Sequence, residues 1–190
     1  MGEKMRIVML GPPGSGKGTQ AERLARDLGV PWISTGQMLR DAVTRGSGLG
    51  TRVSGLLDAG QLVDDDTMAD VVRERLAQDD TVAGFLLDGY PRTEAQADTL
   101  GRILDDRGES LSCVLFIDVP EKELMKRALV RNRGADDRED VVMSRLEVYA
   151  EKTEPLIEYY KGFGLLEPID GDQSIDEVSK EIATKLAATV

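Results

Sequence analysis

The chain has 190 residues, a length that suits one domain and can bury a sizeable core without disulfides or metal staples. Apolar residues make up 41% and charged residues 31%, the balance of a globular chain and not of a disordered one. A formal charge of −11 with no histidine argues against nucleic-acid or anionic-membrane partners, and it removes Ser–His and Cys–His catalysis, His-ligated metals and imidazole switches. Arg6–Leu10 (RIVML) is a short apolar run closed by a Gly/Pro-rich turn, which predicts a buried parallel strand. A helix follows over Lys17–Leu28, with Ala21, Leu24, Ala25 and Leu28 on one face. Trp32–Ser34 is a second, very short strand, and the segment 35–83 then shows helical periodicity without a strand. Glycines at 46, 48, 50 and 60 interrupt it and supply flexible turns, and Asp64-Asp65-Asp66 reads as the capped, acidic start of a helix. Further strands are expected at 84–88, 112–119 and, more weakly, 164–169, each followed by a helix, the last over 174–188. Apolar residues at helical spacing over 141–160 read as the core face of one long helix carrying Tyr149, Tyr159 and Tyr160, with Pro155 breaking it near Glu154. Cys113 is the sole cysteine and lies inside an apolar run, so it reads as core, and neither an intrachain disulfide nor a Cys-rich zinc site can form. No apolar stretch reaches the ~18 residues of a membrane span, and the first residues lack a signal-peptide pattern, so a cytoplasmic protein is expected. The alternation of short apolar and longer amphipathic runs predicts an α/β fold.

The segment Gly11-Pro12-Pro13-Gly14-Ser15-Gly16-Lys17-Gly18-Thr19 leaves the first strand and opens the first helix. It contains G-x-x-x-x-G-K, with Gly18 where Ser or Thr usually follows the lysine and Thr19 one residue later. Glycines let backbone N–H groups converge on phosphate oxygens, the helix start adds partial positive charge, and Lys17 adds a full one. A ligand-free glycine-rich turn is the alternative, and the strand–loop–helix context disfavours it. Taken alone, the loop leaves ATPases, GTPases and kinases open. Three more segments bear on the choice: Ser34-Thr35-Gly36-Gln37-Met38-Leu39-Arg40 after the second strand, Asp88-Gly89-Tyr90-Pro91-Arg92-Thr93 with Gln96 after the third, and Arg127, Arg131, Arg133, Arg138 and Arg145 after the fourth. Arg127 and Arg131 are four apart, on one helix face, where like charges repel unless an anion lies between them.

From GPPGSGKGTQ through STGQMLR, DAGQLV and FLLDGYPRT to the arginines around GADD, the chain resembles the adenylate kinase family in order and spacing, from Arg6 to the last helix. The resemblance implies a phosphate-loop α/β fold with a five-stranded parallel sheet and helices on both faces. It divides the chain into a core (1–33, 64–130 and 138–190), an acceptor flap (34–63) and a short lid (about 131–137), one that a four-cysteine zinc site could not occupy. The implied reaction is reversible transfer of a phosphoryl group from ATP to AMP, giving two ADP, with Mg²⁺ as cofactor, no structural zinc, and a monomer as the working unit. Catalysis would fall to Lys17, Arg92, Arg127, Arg131 and Arg145. ATP would be held by Gly14, Ser15, Gly16, Lys17, Gly18, Thr19, Arg131 and Gln173. AMP would be held by Thr35, Arg40, Gln61, Leu62, Val63, Gly89, Tyr90, Pro91, Arg92, Gln96, Arg133 and Arg145. Thr19 and Asp88 would meet the metal, Asp88 through water. Each assignment has a bland counterpart: Asp88 as a turn cap, Arg40 on a solvated helix face, and Gln96 closing a capping box with Thr93. One departure stands out. The family usually carries an arginine two residues before the Asp-Asp pair, where this chain has Gly134, so either Arg133 or Arg138 takes that role or one arginine is missing. Two rivals remain: a UMP/CMP kinase of the same fold, against which Thr35 and Gln96 speak, and a non-catalytic phosphate-loop switch, for which no base-reading N-K-x-D motif is present.

Overall fold

A computed structural model describes residues 4–130 and 138–189. Its strands are β1 (Arg6–Leu10), β2 (Trp32–Ser34), β3 (Phe85–Asp88), β4 (Cys113–Asp118) and β5 (Leu166–Asp170). The helices are α1 (Lys17–Leu28), α2 (Thr35–Thr44), α3 (Gly48–Asp58), α4 (Asp65–Leu76), α5 (Glu94–Asp105), α6 (Glu121–Val130), α7 (Glu139–Val148), α8 (Leu156–Gly162) and α9 (Ile175–Thr189). All five strands run parallel in the order β2-β3-β1-β4-β5. The five-stranded parallel α/β sheet expected from the sequence is therefore present.

Alternation along the strands splits the core in two. Val8, Leu10, Phe85, Leu87 and Val114 face one side, packed with α4, α5 and α8 residues such as Val72, Leu100 and Leu156. Ile7, Met9, Leu86, Cys113, Leu115 and Ile117 face the other, packed with Ala21, Leu124 and Ile182 from α1, α6 and α9. Burial pushes the Cys113 thiol up to about 12, the Glu167 charge adding to it, so it stays a neutral core group. Among the described residues no helix is long and apolar enough to cross a membrane.

Several boundaries differ from the sequence expectation for local reasons. Residue 84 is not in β3: Gly84 has φ 128, and its N–H closes a turn onto the Thr81 carbonyl at 3.1 Å. The fourth strand is trimmed to Cys113–Asp118. Residues 164 and 165 cap α8 instead of opening β5, with N–H groups donating to Lys161 and Tyr160 at 3.0 and 3.1 Å. The helical stretch 141–160 does break near Glu154, as Pro155 predicts, into α7 and α8, but Tyr149 falls outside both helices. After α7 the chain makes a π-helical turn, Tyr149–Thr153, in which Glu154 N–H donates to Tyr149 O at 2.9 Å, and Pro155 then starts α8. On α1, Leu28 is 36% exposed, whereas Gln20 is buried because its amide donates to Ile175 O and accepts from the Ser179 hydroxyl.

Within 34–63, only Gly46 and Gly60 supply turns with positive φ; Gly48 and Gly50 lie inside α3. Gly50 serves packing, because a Cβ there would lie 2.1 Å from Ala42 O on α2. Its absence lets the two helices cross closely and fixes the tilt of the α2–α3 pair. Gly50→Ala is therefore expected to destabilise the protein by about 1–3 kcal/mol through overpacking against backbone, read as a lower midpoint in urea or thermal denaturation.

Candidate active site

β1 is central, with β3 on one side and β4 on the other, so the loops leaving β1 and its neighbours splay apart at the carboxyl edge of the sheet. The loop after β1 runs directly into α1, where Gly16 takes the cap position at φ 87 with no capping side chain. By contrast Ser34, Ser47, Asp64 and Thr93 cap α2, α3, α4 and α5 with side-chain oxygens. Lys17 Nζ donates back to Pro12 O at 3.4 Å, folding the ammonium over the loop. The Ser15 hydroxyl is buried with no protein partner among the described residues. Gly14 to Thr19 line a cleft of about 470 Å³ together with Asp88, Arg127, Gln173 and the start of α9. Arg127 reaches the loop after β5, donating to Gly171 O at 2.8 Å and to Asp172 Oδ1 at 3.2 Å. Gln173 Nε2 donates to Asp170 O and to Glu181 Oε2.

The second half of the site is built on the end of β3. Thr35 donates to Asp88 O at 3.3 Å, tying the start of α2 to it. Gly89 follows at φ 86; a Cβ there would lie 2.8 Å from Thr35 Oγ1 and 3.3 Å from Arg92 Nη2, so only glycine fits. Arg92 is held on three sides. Its Nε donates to Gly89 O at 2.8 Å, its backbone N–H to Gln96 Oε1 at 2.7 Å, and its carbonyl accepts from Thr153 Oγ1 at 2.9 Å. Close packing pushes the Arg92 pKa below its ordinary value; the Asp88 charge opposes this and the Arg40 charge adds to it. Arg40 donates to Gln37 Oε1 at 3.1 Å, and Arg145 packs its stem on Gly60, where a Cβ would lie 2.9 Å from Arg145 Cγ.

A smaller cavity of about 70 Å³ is lined by Thr35, Leu39, Gln61, Leu62, Val63, Met68 and Gln96. Arg40, Gly89, Arg92 and Arg145 line both it and the large cleft, so three guanidinium groups stand where the two spaces meet. The structure thus gathers the residues singled out near the phosphate loop, after β2, after β3 and on α7. Tyr90 is not among the lining side chains: its ring is in the core at 1% exposure, with the phenol pushed up to about 12, first by burial and then by the Asp65 charge. Pro91 lines a third, small cavity beside Lys17, Arg145 and Tyr149, on the π-helical turn. Arg138 donates from Nε and Nη2 to Asp140 on its own helix. Arg131 and Arg133, with the rest of 131–137, lie outside the described residues.

Two residues of this constellation escaped sequence reasoning: Thr153, which reaches Arg92 from the π-helical turn, and Asp65, whose carboxylate accepts from Gln96 Nε2 at 2.8 Å. No periodicity points to either; the one hint is that three successive aspartates exceed what a helix cap needs. Gln96 also closes only half a capping box. Its N–H donates to Thr93 Oγ1 at 3.1 Å, but its side chain returns to the Arg92 N–H and not to that of Thr93. Among the described residues no group of three or more His, Cys, Asp or Glu side chains gathers around a point. Asp88 faces Gly18 across the cleft, and Thr19 lines the same wall. One carboxylate and one hydroxyl beside a phosphate cradle suit Mg²⁺, which keeps water and takes its remaining ligands from phosphates.

A parallel sheet with this strand order, a G-x-x-x-x-G-K loop at its centre and arginines between two adjoining cavities define a phosphate-loop nucleotide phosphotransferase. Comparison with known proteins narrows the class. The family model described as adenylate kinase matches residues 9–165. The chain is 47% identical to an adenylate kinase of Thermus thermophilus over 95% of this chain and 96% of that one. It is 46% identical to one of Thermobifida fusca, covering 96% and 98% of the two chains, and 41% identical to one of Archaeoglobus fulgidus, covering 94% and 96%. The chain belongs to the adenylate kinase family, enzymes that transfer phosphoryl groups between nucleotides.

The Thr153–Arg92 contact is testable. Thr153→Val keeps the shape and leaves the Arg92 carbonyl without its donor, which is expected to cost about 1–3 kcal/mol of stability and to slow phosphoryl transfer. Thr153→Ser keeps the hydroxyl and should stay near wild type in both unfolding and steady-state kinetics.

Proposed function

We propose that the chain catalyses the reversible, Mg²⁺-dependent reaction of ATP with AMP to give two ADP. The observation that carries this reading is that Arg40, Arg92 and Arg145 line both the phosphate-loop cleft and the smaller cavity. Two polyanions bound in adjoining spaces need cations at the junction, and transfer between them needs little else than alignment and charge stabilisation.

In this reading Gly14, Ser15, Gly16, Gly18 and Thr19 cradle the ATP phosphates with backbone N–H groups, and the buried Ser15 hydroxyl finds its partner there. Lys17 offsets the phosphate charge, and Gln173 lies at the adenine end of the cleft. Arg40 and Arg92 clamp the AMP phosphate, a task suited to the guanidinium fork. Thr35, Gln61, Leu62, Val63, Gly89 and Gln96 wall the acceptor nucleoside, with Tyr90 and Pro91 holding the turn from behind. An AMP phosphate oxygen attacks the γ-phosphorus while its bond to the β–γ bridging oxygen breaks, and the leaving group is ADP. The attacking oxygen is already ionised at neutral pH, so a chain without histidine lacks nothing here. Arg127, Arg131 and Arg145 stabilise the equatorial charge, and the pairing of Arg138 with Asp140 favours Arg133 for the lid role displaced from Gly134. Thr19 and, through water, Asp88 would hold Mg²⁺ on the donor side, where it would supply neutralisation of the phosphate charge.

Residues 34–63 and the short lid at 131–137 act as flaps closing on the core (1–33, 64–130, 138–190), excluding water that would otherwise accept the phosphoryl group. The working unit in this reading is a monomer. Such an enzyme serves adenine nucleotide balance in the cytoplasm.

A coupled assay of ADP formation across AMP, UMP, CMP and GMP tests the acceptor: AMP is expected to give the highest kcat/KM, and a preference for UMP or CMP would reassign the pocket. In the same assay Lys17→Ala is expected to lower kcat by at least about a hundredfold. Its unfolding midpoint should be little changed, since the half-buried side chain lines the cleft and does not pack in the core.

A further inference from the structure

Helix capping does not explain Asp65. Its neighbour Asp64 accepts from the Thr67 N–H at 2.8 Å and already caps α4. The Asp65 carboxylate turns instead to the start of α5, where both oxygens lie 3.2 Å from the Thr93 hydroxyl and Oδ1 accepts from Gln96 Nε2 at 2.8 Å. On its other side Gln96 Oε1 accepts from the Arg92 backbone N–H at 2.7 Å.

These two contacts have a directional consequence. A backbone N–H can only donate and a carboxylate can only accept. Turning the Gln96 amide over would set N–H against N–H and oxygen against oxygen, and both bonds would be lost. Gln96 is 2% exposed and lines the smaller cavity with Thr35, Leu39, Val63 and Met68, so water cannot readily replace them. With both contacts made, Oε1 keeps one lone pair and Nε2 keeps one N–H. The amide therefore offers the cavity one acceptor and one donor whose order cannot be exchanged.

We propose that Asp65 is a specificity-determining positioning residue: by locking the polarity of the Gln96 amide, it makes the acceptor pocket distinguish a 6-amino purine from a 6-oxo purine. The inference rests on the reading of Gln96 as the residue that meets the acceptor base. Adenine presents a 6-amino donor beside the N1 acceptor, whereas hypoxanthine presents a 6-oxo acceptor beside an N1–H donor. An amide free to turn over fits either edge, and a locked one fits only the first. The selectivity then resides in a carboxylate that touches no nucleotide, one hydrogen bond behind the group that does.

The test compares AMP with IMP, which differ at the 6-position and its coupled N1 proton, as acceptors for the wild-type enzyme and for Asp65→Asn. Asparagine is nearly isosteric, and its own amide can donate or accept, so a turned-over Gln96 forfeits only the Arg92 N–H bond instead of both. The AMP-to-IMP ratio of kcat/KM is expected to fall by about tenfold or more, through a lower KM for IMP and a higher one for AMP, while the KM for ATP holds. A purely structural role lowers activity with both acceptors alike and leaves the ratio where it was; that result overturns the proposal. Should the asparagine variant not fold, Asp65→Ser, whose hydroxyl also donates or accepts, is read by the same ratio. Gln96→Ala separates the two layers of the inference. If it leaves the ratio unmoved, Gln96 does not read the base and the lock falls with it. If it lowers the ratio and the Asp65 variants do not, Gln96 reads the base and the lock alone is overturned.

Discussion

Holding Arg92 still is the constraint on which the rest of the site depends. A guanidinium packed closely enough to depress its pKa is costly to keep charged, and the Arg40 charge raises that cost. The fold offsets it with the Asp88 charge at the end of β3 and with the Gly89 carbonyl, which takes the Nε proton at 2.8 Å. The backbone on either side of the side chain is then fixed by Gln96 and Thr153. In the proposed reaction a cation so placed would be ready for an anion before the anion arrives, the way preorganised charge stabilises a transferring group.

Sheet topology explains why the supporting groups converge. With β1 between β3 and β4, the phosphate loop and the Asp88–Gly89 turn leave adjacent strands at the same edge, and Met9 and Asp88 are paired in register. β2 then pairs with β3 so that Ser34 lies beside Asp88, which brings Thr35 within reach of the Asp88 carbonyl. On the far side β5 pairs with β4, and Gly171 at its exit meets Arg127 of α6. A chain of net charge −11 thereby concentrates cations in one cleft while the remaining surface carries the acidic excess.

The two walls of the smaller cavity are built differently. Behind Arg92 and Gln96, the starts of α4 and α5 and the π-helical turn are cross-linked by Asp65, Thr93 and Thr153. Opposite them, α2 and α3 pack on each other through Gly50 and reach the body through the start of α2, through core residues Leu39, Val53 and Val63, and through Ser144, whose hydroxyl accepts from Gln61 Nε2 at 3.1 Å and donates to Ala59 O at 3.0 Å. A cross-linked wall suits recognition, because a donor and an acceptor held in fixed order discriminate.

Much of this protein was legible in the residues themselves, for reasons that are local. The phosphate loop is a run of consecutive residues whose chemistry is set by glycine, lysine and a helix start. The strands alternate with amphipathic helices at readable periods, and Ser34, Asp64 and Thr93 cap helices three residues from their partners. The order in which GPPGSGKGTQ, FLLDGYPRT and the later arginines occur was enough to indicate the family. Tertiary structure alone decided what depends on distant parts of the chain. Asp65 and Gln96 are 31 residues apart and Arg92 and Thr153 are 61 apart, and only the crossovers of the sheet bring them together. Pro155 announced the break of the 141–160 helix, but its π-helical form, the burial of Gln20 by α9 and the turning of Tyr90 into the core depend on neighbours that no periodicity encodes. Periodicity records which face of an element is apolar; which partner that face meets, and which polar group lies opposite it, is settled when the elements pack.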